Sequence, residues 1–416
     1  MKELNVFFYP TKNDKFIAGK LAQFQNKIYF EYDPSFLVNP LWLSPYKLPP
    51  EPGLYEHKET QFGPVFGLFD DSLPDGWGLL LMDRFLGKQG IDVGRLSVLD
   101  RLAFLGKSTM GALTYEPAVK HEKNDKIISI QFLAEQSRQI LEGHSIDVLP
   151  LLMRTGGSPA GARPKVLVGV NKDEIISGED DLPENYEHWI IKFNSKNDFQ
   201  DSGLVEYAYS LMAKNAGIMM PETRLFNTSS GDHFFGVKRF DRKDNKRFHV
   251  HTFGNLIHSN FRMPECGYGT FLKVVLDLTK NHQELIRGFR QMVFNVMANN
   301  RDDHVKNFAF MIDINQEWAL TPAYDLMYAK GPGGEHSMDI SGEGLSPGKQ
   351  EVSRLGKKSG LSINEVNNSI EQVMTAVEKW PEYAQIAGVT EKTMNYIQKR
   401  MQRNLSFFQE KSSKHY

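Results

Sequence analysis

The sequence predicts an α+β protein in three parts, and three observations carry that expectation. Aromatic and β-branched runs broken by short polar turns fill the first stretch, residues 1–145. Apolar strands flanking a single helix fill residues 146–245. Helical spacing of apolar residues dominates 246–416. The parts are a β-rich N-terminal subdomain, a small α+β lobe and a mainly helical C-terminal lobe.

In order along the chain, residues 5–9, 16–24 and 27–32 read as strands, separated by polar breaks at 11–14 and 25–26. Prolines crowd residues 37–67, including Pro49-Pro50 and Pro52-Gly53, so irregular extended chain is expected there. Residues 71–76 form a turn into a helix that reaches about Phe85. A charged bridge at 120–126 leads to helical spacing over 129–142. Residues 165–170 and 188–193 are β-branched runs that suit buried strands, with a polar turn at 171–185 between them. A helix follows at 204–216, with Gly217 placed to cap it, then a strand pair at 224–228 and 233–240. Apolar residues at helical spacing mark 284–297. Ser362 and Glu365 make a capping box for a helix reaching Lys379, where Pro381 stops it, and 390–408 is the last helix.

Composition excludes several classes. Lys and Arg number 49 against 51 Asp and Glu, a net charge of -2, which argues against a protein that binds nucleic acid alone through a broadly basic surface. The single cysteine, Cys266, permits neither an internal disulfide nor a thiolate metal cluster and fits a reducing compartment. No signal peptide or membrane-length apolar run is seen, so a cytoplasmic protein with no membrane contact is expected.

The chemistry concentrates in residues 299–307, Asn-Asn-Arg-Asp-Asp-His-Val-Lys-Asn, directly after an apolar helix. Asp302 and Asn307 have the D-x-x-x-x-N spacing of the protein-kinase catalytic loop, where the Asp takes the proton of the attacking hydroxyl and the Asn binds a metal. Asp325 follows a short strand and turn, in the order in which kinases place a second Mg²⁺ ligand, with Ala-Tyr-Asp-Leu in place of Asp-Phe-Gly. Asn307 and Asp325 suit a hard ion that takes few protein oxygens and keeps positions open for phosphates. Upstream, the loop Gly156-Gly157-Ser158-Pro159-Ala160-Gly161 precedes a strand, and its glycines allow backbone amides to approach phosphates. The P-loop spacing G-x-x-x-x-G-K-[ST] is missing, which disfavours that class. Lys192 lies inside the apolar run Trp189-Ile190-Ile191-Lys192-Phe193, where an ammonium needs an anionic partner such as ATP phosphates or a carboxylate. Glu206 is the nearest candidate carboxylate, although a surface position is the simpler expectation for it.

Together these motifs resemble the HipA family of bacterial serine/threonine kinases, the toxin halves of HipA/HipB toxin–antitoxin pairs. Residues 158–165 are similar to its S-x-x-G-A-x-x-K loop, 189–193 to its ATP-lysine strand and 236–242 to its R-F-D-R segment. Residues 302–308 fit D-x-H-x-K-N-F, 321–325 fit T/A-P-x-Y-D, and Leu73-Pro74-Asp75-Gly76 resembles L-P-E-G with Asp for Glu. The resemblance implies a two-lobed protein-kinase-like fold and ATP- and Mg²⁺-dependent phosphorylation of a protein serine or threonine that inhibits growth. It implies Asp302 as catalytic residue, Asn307 and Asp325 as Mg²⁺ ligands, and Lys192 and Gly161 at the ATP phosphates. Lys238 and Phe240 would meet adenine mainly through their backbone, and Ser158 would be the self-phosphorylated residue that switches the enzyme off. A phosphate on that loop would repel ATP. His304 would support the γ-phosphate or hold the loop. A HipB-like DNA-binding antitoxin is the implied partner. A small-molecule or lipid kinase, or a non-catalytic nucleotide- or antitoxin-binding protein, stands as the alternative.

His249, His251 and His258 lack the H-E-x-x-H pattern of a zinc site, so no metal is expected there. The basic run 238–247 is expected to be a solvated hairpin edge, with DNA contact inside a larger complex left open.

Overall fold

The computed structural model describes residues 1–118, 128–144, 151–153, 161–178, 181–195, 199–263, 265–312 and 317–409. The chain divides into two compact units. One comprises Met1–Asp198, Arg224–His258 and Met311–Glu317; the other comprises Phe199–Thr223, Ser259–Phe310 and Trp318–Tyr416.

The first unit is built on two five-stranded sheets. β1 (Lys2–Thr11), β2 (Asp14–Phe24), β3 (Lys27–Tyr32), β4 (Leu54–Glu56) and β5 (Leu113–Glu116) run in the order β4-β3-β2-β1-β5, every pair antiparallel. Alternation places Ile28, Phe30 and Tyr32 inward with Val6, Leu21, Phe69 and Tyr115. Each such side chain withdrawn from water contributes about 1.5–3 kcal/mol. β6 (Lys165–Asn171), β7 (Glu174–Ser177), β8 (Glu187–Lys192), β9 (Thr223–Asn227) and β10 (His233–Lys238) form the second sheet, ordered β7-β6-β8-β10-β9. β6 is buried from Lys165 to Val170, which explains its unbroken apolar run. Its core is shared with Trp77, Leu81 and Met82 of the helix Gly76–Lys88.

Several elements differ from expectation. β7 lies inside the stretch expected to be a polar turn, and its apolar run is only Ile175-Ile176, too short to signal a strand. A helix at Val98–Leu105, capped by Ser97 and Asp100, also escaped notice because its box uses Asp instead of Glu or Gln.

The basic run is not a solvated edge. Arg239, Arg242 and Arg247 are buried, with Asp241, and of the run's cations Lys238, Lys243 and Lys246 keep partial or full exposure. Asp241 accepts from Arg239 Nε at 2.9 Å, from Arg242 at 2.7 Å and from the Gly111 amide at 2.9 Å. Arg242 also donates to the carbonyls of Thr109 and Gly111, and Arg247 donates to that of Lys107. Burial alone would raise the Asp241 carboxyl, yet Arg239 and Arg242 hold it below the usual carboxylate range. The local pattern does not show this burial, because Arg242 and Arg247 donate to backbone carbonyls more than 120 residues away in sequence. His249 and His251 are likewise structural: His249 Nε2 meets the Leu43 carbonyl at 2.8 Å and His251 meets Ser44 and Asp71. Among the described residues no group of His, Cys, Asp and Glu is arranged to hold a metal.

The second unit is mainly helical. Its helices are Ser202–Asn215, Tyr268–Thr279, His282–Met297, Lys349–Lys358, Ile363–Glu378, Trp380–Ala387 and Glu391–Ser406. Ser362 and Glu365 form the expected capping box. Pro381 sits in the first turn of Trp380–Ala387, so it opens a helix as well as following the end of one. Glu206, expected at the surface, is 2% exposed within Ser202–Asn215. No helix among the described residues is long and apolar enough to cross a membrane.

Candidate active site

In the second unit, helix His282–Met297 delivers the chain into the loop 299–307. Asn299 turns it through a left-handed φ of 54°, and its side chain donates to the Ala329 carbonyl at 2.9 Å. Ala329 returns its amide to the Asn299 carbonyl at 3.1 Å, and Asn404 donates to Asn299 Oδ1 at 3.2 Å. The loop is thereby fastened at its start.

The two adjacent carboxylates then meet opposite fates. Asp302 keeps 62% of its side chain exposed, whereas Asp303 is fully buried. Asp303 accepts from the Tyr268 hydroxyl at 2.7 Å, from His336 Nδ1 at 2.7 Å and from the Ser337 amide at 2.8 Å. Tyr268 in turn receives Asn295 at 3.0 Å, and Asn300 donates to Asn295 at 3.0 Å. Ser337 Oγ closes the circuit on the Arg301 carbonyl at 3.1 Å. Asp303 is therefore a fixed anchor that leaves Asp302 on the exposed side of the loop. Sequence reasoning missed Asp303, His336, Tyr268 and Asn295, because nothing local distinguishes a buried Asp from its exposed neighbour.

His304 Nδ1 accepts from the Lys306 amide at 3.2 Å and opens the single turn Val305–Asn307. Its Nε2 lies 3.9 Å from Asp302 Oδ1, beyond a hydrogen bond, and its ring packs on Phe261 with centroids 5.4 Å apart. These contacts hold His304 within the loop. Asn307 donates Nδ2 to the Asp302 carbonyl and its amide to the His304 carbonyl, which leaves the Asn307 amide oxygen for a cation.

Asp325 comes next to this loop through its neighbour. Thr321 donates to the Ala309 carbonyl at 3.0 Å, Ala323 to Met219 at 2.8 Å, and Tyr324 Oη to the Lys306 carbonyl at 2.8 Å. Tyr324 thus ties the residue before Asp325 to the residue before Asn307. Asp325 itself is half-buried with φ of 52°, a left-handed conformation that costs a non-glycine residue about 1–2 kcal/mol. Strain at a polar residue is characteristic of functional positions. One carboxylate and one amide oxygen fit a Mg²⁺ ion that completes its shell with phosphate and water.

The remaining expected residues lie in the first unit. Lys192 ends β8, half-buried, directly opposite Lys165 on β6 and Phe235 on β10. Lys165, at the start of β6, is 4% exposed. Like charges in directly opposed positions repel, and an anion shared between them relieves that repulsion. Lys238 pairs with Glu187, and Phe240 is half-buried just past β10. Ser158, with the rest of 154–160, lies outside the described residues.

Gly161 shows how the glycine-rich loop is anchored. Its amide donates to Asp75, and its carbonyl accepts from the Trp77 amide at 3.1 Å. Trp77 Nε1 adds a bond to the Lys165 carbonyl at 3.0 Å. A Cβ on Gly161 would fall 2.4 Å from Lys165 Nζ, and one on Gly76 would fall 2.7 Å from the Ala162 Cα. Both glycines also have positive φ, 107° and 43°. The Leu73-Pro74-Asp75-Gly76 turn is thus a clasp for the end of this loop.

Comparison with known proteins bears on the family and the fold. Residues 157–380 match the family described as HipA-like C-terminal domain, and residues 12–116 match the HipA N-terminal domain. A Sinorhizobium fredii protein named "Putative kinase Y4dM" is 26% identical over 154 residues, 33% of this chain and 37% of that protein. A Haemophilus influenzae protein named "Putative kinase" is 26% identical over 186 residues, 41% of this chain and 52% of that protein. The matches therefore span between about a third and a half of these relatives. The HipA chain in a Shewanella oneidensis MR-1 complex of HipA, HipB and operator DNA superposes with a TM-score of 0.68 at 16% identity, over 97% of this chain and 96% of that one.

Proposed function

The chain belongs to the HipA family, and from that premise we propose that it is an ATP- and Mg²⁺-dependent kinase acting on serine or threonine of a protein. The observation that carries this reading is the contrast between exposed Asp302 and anchored Asp303, on a loop whose Asn307 end is bonded to the Asp325 turn. The acceptor hydroxyl oxygen forms a bond to the γ-phosphorus, the bond from that phosphorus to the bridging oxygen breaks, and ADP leaves. Asp302 accepts the hydroxyl proton, Asn307 holds the loop on the Asp302 carbonyl, and Lys192 binds phosphate oxygens. Mg²⁺, held by Asn307 and Asp325, would supply charge neutralisation at the phosphates. Lys238 and Phe240 offer backbone groups to the adenine. Phosphorylation of Ser158 would place negative charge where phosphates bind and so stop turnover.

The Shewanella protein is described with HipB and operator DNA. A HipB-like antitoxin is the corresponding partner proposed here, with growth inhibition as the effect of the unpartnered kinase.

The test is incubation of the purified protein and a cell lysate with γ-labelled ATP and Mg²⁺, followed by phosphoamino-acid analysis. Label on serine or threonine is expected, with self-labelling lost in Ser158→Ala and transfer to other proteins kept. Label confined to lipid or small molecules would move the chain to a different kinase class, and no label at all would leave a nucleotide- or antitoxin-binding protein.

A further inference from the structure

The second unit carries a cluster of cations around Arg301, the residue before Asp302, that the proposed phosphoryl transfer does not use. Tyr396, Arg400 and Arg403 follow one another at helical spacing along Glu391–Ser406 and share a face. Lys330 Nζ lies 5.9 Å from the Tyr396 ring centroid, as does the Arg400 guanidinium carbon. Tyr328 stands against Tyr396 with centroids 5.7 Å apart. Arg301, the residue before Asp302, spends its guanidinium on the Gly334 and Leu345 carbonyls, while its Nε is buried without a partner. The stripe is fastened beside the loop by the Asn404 bond to Asn299.

Positive charge outweighs negative charge in this cluster, where Asp303 is the acid that acts on Arg301. Among the described residues none of Arg301, Lys330, Arg400 and Arg403 has a carboxylate within 4.0 Å. The nearby acid, Asp303, is buried and already bonded to Tyr268, His336 and Ser337. Burial first, and then Arg403, lower the Arg301 pKa against the opposing pull of Asp303 and Tyr328, with Arg400 adding a smaller push in the same direction as Arg403.

We infer that this face, Lys330, Tyr396, Arg400 and Arg403 with Arg301 beneath, docks an anionic segment of the protein substrate flanking the accepting hydroxyl. The inference rests on the kinase reading for its purpose. Arg301 is adjacent to Asp302 in the chain, so residues flanking a hydroxyl at Asp302 reach the cations within a few residues of extended chain, about 3.3 Å each. Carboxylate and phosphate satisfy the same chemistry. A nucleic-acid strand fits less well, since Tyr328 is only 6% exposed and the half-buried Phe199 and Tyr396 pack edge-on against each other, leaving no open stacking platform.

The experiment uses the full chain carrying Asp302→Ala and three fluorescent serine peptides, one with glutamates, one with phosphoserines and one with glutamines in their place. Fluorescence anisotropy should show the glutamate or the phosphoserine peptide binding about tenfold more tightly than the glutamine peptide at low salt, with the preference lost at high salt. Whichever anion binds identifies the source. Lys330→Gln/Arg400→Gln, two exposed positions, should abolish the preference while leaving the unfolding transition unchanged. Equal binding of all three peptides, a preference surviving the double substitution, or displacement by single-stranded DNA at equal charge overturns the inference. Turnover by the wild-type chain separates the two claims. No transfer to any peptide with the anionic preference intact defeats only the kinase reading, and equal transfer to anionic and neutral peptides defeats the docking face.

Discussion

Replacing Asp303 tests whether the loop is held as described. Its carboxylate takes three short hydrogen bonds in a fully buried setting, from Tyr268, His336 and the Ser337 amide. Hydrogen bonds to charged groups contribute about 1.5–3 kcal/mol each, but three sharing one acceptor are not additive. Removing one member of a buried polar network and stranding the others costs about 3–5 kcal/mol, the magnitude expected for Asp303→Ala. Asp303→Asn should cost less, about 1–3 kcal/mol, because an oxygen remains for the Ser337 amide while the Tyr268 hydroxyl can rotate to accept. His336 can also shift its proton to Nε2, which is buried without a partner, and let Nδ1 accept. Urea unfolding measures the loss, and amide exchange over residues 299–307 locates it. Both variants should speed exchange in that loop, and phosphoryl transfer should fall even where the fold survives. A loss below about 1 kcal/mol for Asp303→Ala, or unchanged loop exchange, refutes the anchoring role, since one buried unsatisfied donor alone exceeds that.

Other expectations follow from the same contacts. Asp75→Ala removes the acceptor of the Gly161 amide and should weaken ATP binding about tenfold, read by calorimetry, with little change in the first sheet's stability. Asp325→Gly should relieve left-handed strain and stabilise the second unit by up to about 1 kcal/mol in thermal unfolding, while abolishing Mg²⁺-dependent transfer. Burial, with His251 beside it, pushes the His249 pKa down from 6.5 to about 4. The unfolded chain then binds the proton more tightly, so this stability is full above about pH 7, falls as pH drops through 6.5 and is gone near 4, costing on the order of 2 kcal/mol by pH 5. Unfolding midpoints at pH 7 and 5 should differ less in His249→Gln than in the parent.

Much of this was legible in the sequence, for identifiable reasons. Strands β1, β2, β3, β6 and β8 announce themselves through alternating or unbroken apolar runs, and the 362–365 capping box through two polar residues at fixed spacing. The loop 299–307 stood out because its residue types are dense and spaced as a catalytic loop requires. What stayed hidden depends on distant partners. Arg242 and Arg247 look like solvated charges until the carbonyls of Lys107, Thr109 and Gly111 are brought to them. Asp303 needs His336 and Ser337, which sit more than 30 residues on. Asp75 and Gly161 meet across 86 residues, a contact that neither motif carries alone.

The rate of phosphoryl transfer from γ-labelled ATP to a protein hydroxyl, measured side by side for the wild-type chain and Asp302→Asn, tests the central claim most directly. Loss of the proton acceptor should slow transfer by about 10²–10⁴-fold with ATP binding retained. Transfer within threefold of wild type would contradict the assignment of Asp302 and, with it, the kinase mechanism built on this loop.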